Sequence, residues 1–190
     1  MTRRRAVFMD RDGTISEEVG YVNHPSRYRV FPYSAQALRL LHEEGWLAVL
    51  VTNQAGVARG YFTENLITEV HEHLRRELER QDARLDAIYY CAHHPTVGSP
   101  PYLQDCDCRK PRPGLIRRAA EDLEIDLAES WMVGDRYSDI ELARNAQVRS
   151  AFVLSGYGRG EWEYQRDAWQ HEPDLIAEDL LEAVRKIVGK

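Results

Sequence analysis

A chain of 190 residues, 43% hydrophobic and 29% charged, has the composition of a soluble globular protein and the length for one sizeable core, which excludes wholesale disorder. The net charge of −6 argues against an extended nucleic-acid footprint, yet leaves room for a small anion, which responds to local rather than total charge. No apolar stretch reaches the ~20 residues that span a bilayer, and Ala6-Val7-Phe8-Met9 is too short and too soon followed by charge to be a secretory leader.

A cytoplasmic protein is therefore expected, with its three cysteines reduced and serving as ligands or buried thiols. The basic run Arg3-Arg4-Arg5 reads as a solvated lead-in to the first strand, Ala6 to Met9. Ser34 caps a helix through Glu44, with Ala37, Leu38, Leu40 and Leu41 apolar and Gly45 as its stop. Trp46 to Val51 reads as a second buried strand. Thr63 caps a helix to about Gln81, with Leu66, Ile67, Val70, Leu74 and Leu78 on one face.

Leu85 to Tyr90 is a third strand, followed by a loop that carries all the cysteines. Pro113 opens a further helix. Trp131 to Val133 is a fourth strand, Ser138 to Asn145 a helix, Ala151 to Leu154 a fifth strand, and about Glu178 to Val188 a final helix. Alternating β and α units of this kind predict one α/β domain over residues 1–190: a three-layer, doubly wound, mostly parallel sheet with helices on both faces. No linker or internal repeat divides the chain. The tail after Gly156, with Trp162, Tyr164 and Trp169, is expected to bury itself against the sheet.

Four polar clusters each follow a predicted strand, where ligands sit in such sheets. Asp10-Arg11-Asp12-Gly13-Thr14 sets two carboxylates two residues apart, able to reach one pocket if the chain bends there. Thr52-Asn53-Gln54 offers a hydroxyl and backbone amides suited to phosphoryl oxygens. Arg109-Lys110-Pro111 supplies a cation for a phosphoryl group. Gly134-Asp135-Arg136, with Asp139 four residues on, supplies a carboxylate for a hard cation, while Asp139 ligates through water or anchors the loop. Singly, each has an ordinary alternative: a turn, a helix cap or an exposed lysine.

Cys91, His93, Cys106 and Cys108 form a complete donor set for structural zinc in a loop, residues 91–108, whose apolar content is too low to hold itself by burial. His94 is the competing imidazole.

Together, Asp10-x-Asp12-Gly13-Thr14, Thr52-Asn53, Lys110-Pro111 and Gly134-Asp135-x-x-x-Asp139 resemble the four motifs of the haloacid dehalogenase-like phosphatases. The resemblance implies a HAD-like Rossmannoid fold and a Mg²⁺-dependent hydrolysis through a phospho-aspartate on Asp10, with Asp12 as acid and base and with Thr52 and Lys110 assisting. It assigns magnesium to the side chains of Asp10 and Asp135 and to the backbone carbonyl of Asp12. The intervals between motifs are short, so the enzyme is expected to be capless, with an open mouth.

Further stretches are similar to the D-glycero-D-manno-heptose 1,7-bisphosphate 7-phosphatase family: Gly20-Tyr21-Val22, Thr52-Asn53-Gln54-Ala55-Gly56-Val57-Ala58-Arg59-Gly60, Tyr89-Tyr90-Cys91-Ala92-His93-His94-Pro95 and Cys106-Asp107-Cys108-Arg109-Lys110-Pro111. The Cys-x-His spacing of that pattern favours His93 over His94. By resemblance, Arg11, Glu18, Val19, Gly20, Tyr21, Thr52, Asn53, Gln54, Ala55, Arg109, Lys110 and Arg136 contact a small phosphorylated sugar. The product would be heptose 1-phosphate for nucleotide-activated heptose synthesis, feeding lipopolysaccharide or glycoprotein, made by a monomer with no nucleic-acid or membrane partner. Two departures stand out: Ala55 where many members have serine, and Arg136 where lysine is common. An arginine fork meets phosphate in a different geometry from an ammonium group. The alternatives are a histidinol-phosphate phosphatase, which shares the motifs and toward which Gly134-Asp135-Arg136 leans, and a non-catalytic sugar-phosphate-binding protein. The length of the zinc loop and Gly20-Tyr21-Val22 favour the heptose reading.

Overall fold

Ala6–Met9 (β1) is apolar at every position, and all four residues are buried. A run without alternation belongs to a strand covered on both faces. In the computed structural model, which describes residues 3–190, β1 lies inside a six-stranded sheet. Its companions are Leu47–Asn53 (β2), Ala87–Cys91 (β3), Trp131–Gly134 (β4), Arg149–Val153 (β5) and Leu175–Ala177 (β6). The order is β3-β2-β1-β4-β5-β6, and every pairing is parallel.

Strand parity divides the buried side chains between two cores. Val7, Met9, Ala48, Leu50, Val133 and Val153 face one way. They meet the apolar stripes of Ser34–Glu43 (α1), Glu64–Glu79 (α2) and Leu180–Val188 (α6), represented by Leu38, Leu74 and Val184. Phe8, Val49, Val51 and Met132 face the other way, against Leu115, Ile116, Leu142 and Ala143 of Gly114–Leu123 (α3) and Tyr137–Ala146 (α4). This is the three-layer α/β Rossmannoid arrangement, and it leaves the carboxyl ends of all six strands at one rim. Among the described residues no helix is long and apolar enough to cross a membrane.

Several boundaries differ from the sequence reading. The second strand runs two residues further, to Asn53, and the third is shifted to Ala87–Cys91. Ser34 is the first residue of α1 rather than its cap. Its hydroxyl donates to the Ile15 carbonyl at 2.8 Å, tying the helix to the loop after β1. Thr63 is extended at the start of α2 but makes no side-chain cap, and Pro113 precedes α3 instead of opening it. Two elements were not anticipated. Strand β6 has only three residues, too few for a periodic signal. Helix Gly158–Tyr164 (α5) contains two glycines, which weaken a helical reading.

The aromatic tail is split. Trp162 and Trp169 pack on Phe152, with ring centroids at 6.2 and 5.0 Å. Tyr164, expected to be buried, is 84% exposed because it points away from that cluster.

Candidate active site

Asp10 leaves β1 and Asp135 leaves β4, the two adjacent strands at which the strand order reverses. There the crevice of a doubly wound sheet opens. After Asp10 the chain turns tightly, since the Arg11 carbonyl accepts from the amides of both Ile15 and Ser16 at 3.0 Å. Gly13 completes the turn at φ +83°, a conformation that L side chains rarely adopt. A Cβ there would overlap the Asp135 carboxylate, so the bare backbone is what lets β1 and β4 bring their acids together.

Lys110 is buried between two carboxylates. Its Nζ lies 2.8 Å from Asp10 Oδ2 and 2.8 Å from Asp139 Oδ1. Burial disfavours the ammonium form, but the Asp10 and Asp139 charges outweigh it and push its pKa up, so it stays charged. Asp139 thus anchors Lys110, and it also caps α4 by accepting from the Arg136 amide at 3.3 Å. Burial pushes its carboxyl above the usual carboxylate range, with the Lys110 charge opposing.

Asn53 holds the same lysine by the backbone. Its Nδ2 donates to the Lys110 carbonyl at 3.1 Å, and its Oδ1 accepts from the Lys110 amide at 3.0 Å. Replacing Asn53 by alanine leaves both groups without their partner, at about 1–3 kcal/mol of stability. The resulting displacement of Lys110 is expected to lower turnover by roughly 10–100-fold, because catalytic geometry tolerates shifts well under an ångström. Phosphate release and urea melts measure both effects. Activity within about twofold of the parent protein would remove Asn53 from this role.

Asp12 is held by its neighbour. Arg11 grips it with two bonds, Nε to Oδ1 at 3.0 Å and Nη2 to Oδ2 at 2.8 Å, and Gln54 Nε2 adds a third at 3.2 Å. The same Gln54 nitrogen donates to Thr52 Oγ1 at 3.0 Å, linking the two motifs. Arg11 is 2% exposed and reaches Gln54 Oε1 at 3.0 Å and His71 Nε2 at 3.4 Å. Burial, then the nearby Arg11 and Arg75 charges, lowers the His71 pKa to about 3, so its ring is neutral and accepts from Arg11.

The remaining expected contacts gather around a cleft of about 390 Å³. Glu18, Gly20, Tyr21, Thr52, Asn53, Gln54, Ala55, Arg109, Lys110 and Arg136 all line it beside Asp10 and Asp12. Two residues of that set do not. Val19 packs toward the core, and the Arg11 side chain is turned inward to serve Asp12. Gly56, Ser138 and Tyr157 line the cleft without having been singled out. The cleft brings two guanidinium groups and an ammonium group into one opening, despite the net negative charge of the chain.

The residues fit a hard cation. Asp10, Asp135 and Asp139 offer carboxylate oxygens within 4.8 Å of one another. Asp135 Oδ2 accepts from the Tyr157 amide at 2.9 Å, whereas the buried Oδ1 has no hydrogen-bond partner among the described residues. Burial, then the Asp10 and Asp139 charges, pushes the Asp135 carboxyl well above the usual range. An oxygen-preferring divalent ion would relieve that crowding. The Asp12 carboxylate is engaged by Arg11 and Gln54 and is not part of that carboxylate group.

The cysteine loop closes into a second cluster. Cys91, His93, Cys106 and Cys108 present their ligand atoms within 4.8 Å of one another. The sulfur–sulfur distances of 3.1, 3.2 and 3.5 Å exceed a disulfide bond of ~2.05 Å, and all three thiols are free. His93 Nδ1 lies 3.4 Å from Cys108 Sγ. His94 is engaged elsewhere, with Arg59 Nη2 at 3.2 Å and the Thr96 amide at 3.2 Å. Hydrogen bonding to Cys91 and burial push the Cys108 thiol up, and burial does the same for Cys106. Arg109 Nη1 donates to the His93 carbonyl at 3.3 Å, so the cluster connects directly to the residues around Lys110.

Comparison with known proteins agrees with this geometry. A sequence model of the HAD-hydrolase-like family matches residues 107–183. The D-glycero-β-D-manno-heptose-1,7-bisphosphate 7-phosphatase of Haemophilus influenzae is 40% identical over 178 residues, covering 90% of this chain and 96% of that relative. The enzyme of the same name from Escherichia coli strain K12 is 43% identical over 149 residues, covering 78% of each. Among solved structures, the D,D-heptose 1,7-bisphosphate phosphatase of B. bronchiseptica, complexed with magnesium and phosphate, superposes with a TM-score of 0.85 at 31% identity, covering 97% of this chain and 98% of the other. With the four motifs converging at one sheet rim and relatives of this identity and coverage, the chain belongs to the D-glycero-D-manno-heptose-1,7-bisphosphate 7-phosphatase family of the haloacid dehalogenase superfamily.

Proposed function

We propose that this protein hydrolyses the 7-phosphate of D-glycero-β-D-manno-heptose 1,7-bisphosphate to give heptose 1-phosphate. The carrying observation is Asp10 at the floor of a cationic cleft, ion-paired to Lys110 at 2.8 Å and beside Asp135. Phosphate-ester hydrolysis is among the slowest uncatalysed reactions, so a covalent carboxylate intermediate that divides it into two steps is an effective solution.

The Asp10 carboxylate attacks phosphorus while Lys110 neutralises charge on the phosphoryl oxygens, and the Thr52 hydroxyl orients them. The bond to the sugar oxygen breaks, and Asp12 gives that oxygen its proton. In the second step Asp12 takes a proton from water, which attacks phosphorus and releases inorganic phosphate from Asp10. At rest the Arg11 fork and Gln54 hold Asp12 beside the cleft, and its carboxyl turns out of that fork to carry the proton. Asp10, Asp135 and the Asp12 carbonyl would hold magnesium, which would supply positive charge to offset the repulsion between carboxylate and phosphate. Arg109 and Arg136 receive the phosphate that is retained, while Glu18, Gly20 and Tyr21 border the sugar.

We infer that the second cluster holds structural zinc, because three thiols and one imidazole fill a tetrahedral set and leave no position for water. The short segments around the cleft support a capless enzyme. Three free thiols gathered as a donor set suit the reducing cytoplasm. Turnover of heptose 1,7-bisphosphate against histidinol phosphate tests the substrate. The heptose compound is expected to be preferred by more than ~100-fold, as a site matched to a second phosphate rejects a substrate lacking it. A preference for histidinol phosphate would overturn the assignment.

A further inference from the structure

Arg136 rests on a seat that lies outside the four motifs. Glu161 on α5 is 8% exposed, and both of its carboxylate oxygens are engaged. Oε1 accepts from Arg136 Nε at 3.1 Å, and Oε2 accepts from the Tyr137 backbone amide at 2.7 Å. The Tyr157 ring lies beneath the guanidinium, 4.8 Å from its carbon to the ring centroid. A carboxyl group this buried persists only when it is bonded in this way, so Glu161 is held in place by both partners. The Nη1–Nη2 edge of Arg136 makes no hydrogen bond to a described residue. The side chain is 52% exposed where it borders the cleft. One edge of the guanidinium is thus anchored, and the two-donor edge is free.

We propose that Glu161 is a positioning residue for substrate selection: with the Tyr157 ring, it fixes Arg136 so that the free edge meets the phosphate that is not cleaved. The proposal rests on the reading of Arg136 as a contact for that phosphate. It also accounts for arginine at this position. A lysine ammonium group has no separate Nε to give Glu161 while keeping a planar pair of donors for a phosphate. The anchor itself is rigid, because Trp162, one residue on, packs against Phe152.

The test measures kcat and KM on heptose 1,7-bisphosphate and on heptose 7-phosphate for the parent protein, Glu161→Gln, Arg136→Ala and the double variant, with melting temperatures alongside. Glutamine keeps the shape but offers one acceptor oxygen to two donors and no charge to the guanidinium, which loosens the hold on Arg136. Glu161→Gln is expected to raise KM for the bisphosphate roughly tenfold, the worth of one charge-assisted bond. Its kcat and its kcat/KM for the monophosphate should stay within about twofold of the parent. In the Arg136→Ala background Glu161→Gln should add nothing. Equal losses on both substrates, or additive losses in the double variant, would indicate a merely structural carboxylate and overturn the proposal. If Glu161→Gln does not fold, Tyr157→Leu, which spares the Tyr137 amide bond, is expected to raise the bisphosphate KM in the same direction; an unchanged KM would count against the seat. If Arg136→Ala keeps its preference for the bisphosphate, the reading of Arg136 falls and this inference with it. If Arg136→Ala loses the preference while Glu161→Gln keeps it, only the positioning role is overturned.

Discussion

Replacing Asp10 by asparagine is expected to lower phosphate release by more than ~10⁴-fold, as loss of a nucleophile does elsewhere, while the chain stays folded. The amide nitrogen cannot form the acyl phosphate, so no alternative route to the intermediate remains. The fold survives for reasons visible in the site. An asparagine oxygen can still accept from the Arg11 amide, now 2.7 Å from Asp10 Oδ1, and Lys110 retains its second carboxylate, Asp139. A brief reaction quenched in denaturant should leave phosphate attached to the parent protein and none on the variant. Substantial turnover by a well-folded Asp10→Asn protein would sink the covalent mechanism.

The second large effect concerns the cysteine cluster. Cys106→Ser is expected to abolish tight zinc binding and to lower the melting temperature by roughly 10 °C or more, since structural zinc sites contribute many kcal/mol to folding and about 1 kcal/mol moves a chain of this size by 2–4 °C. Activity should fall as well. Cys91 ends β3 opposite Asn53 of β2, and Cys108 precedes Lys110 by two residues, so the clamp spans the site's cation and the residue that holds it. Elemental analysis of protein purified without chelator should give about one zinc per chain, the stoichiometry of a closed four-ligand site. A metal-free preparation with an unchanged melting temperature and full activity would dismiss zinc as the organiser of this loop.

Much of this site was readable before any coordinates, because its parts follow strands that announce themselves. β1 is an unbroken apolar run ending at Asp10, and β4 ends at Asp135. The Cys91, Cys106 and Cys108 cluster was legible from donor chemistry, and the family resemblance pointed to His93 rather than His94 as its fourth member. What escaped notice acts through space rather than along the chain. Arg11 looked like a cleft residue, yet it faces inward; one hint was available, since His71 falls on the apolar stripe of α2 with Ile67, Val70, Leu74 and Leu78. A polar ring in such a stripe needs a buried partner. Glu161 offered no comparable sign. Its helix is short and broken by glycine, and its partner lies 25 residues earlier in sequence.

The topology has a consequence for how the chain is made. β1 pairs with β4 through Val7 and Trp131, so the crevice cannot exist until two-thirds of the protein has left the ribosome. Until then β1, β2 and β3 form a partial sheet whose β1 margin bears unpaired amides and carbonyls, an invitation to pairing with another nascent chain. Synthesis that stalls shortly before Trp131 would leave the emerging polypeptide at its most adhesive, which marks that interval as the one in which a chaperone would matter most.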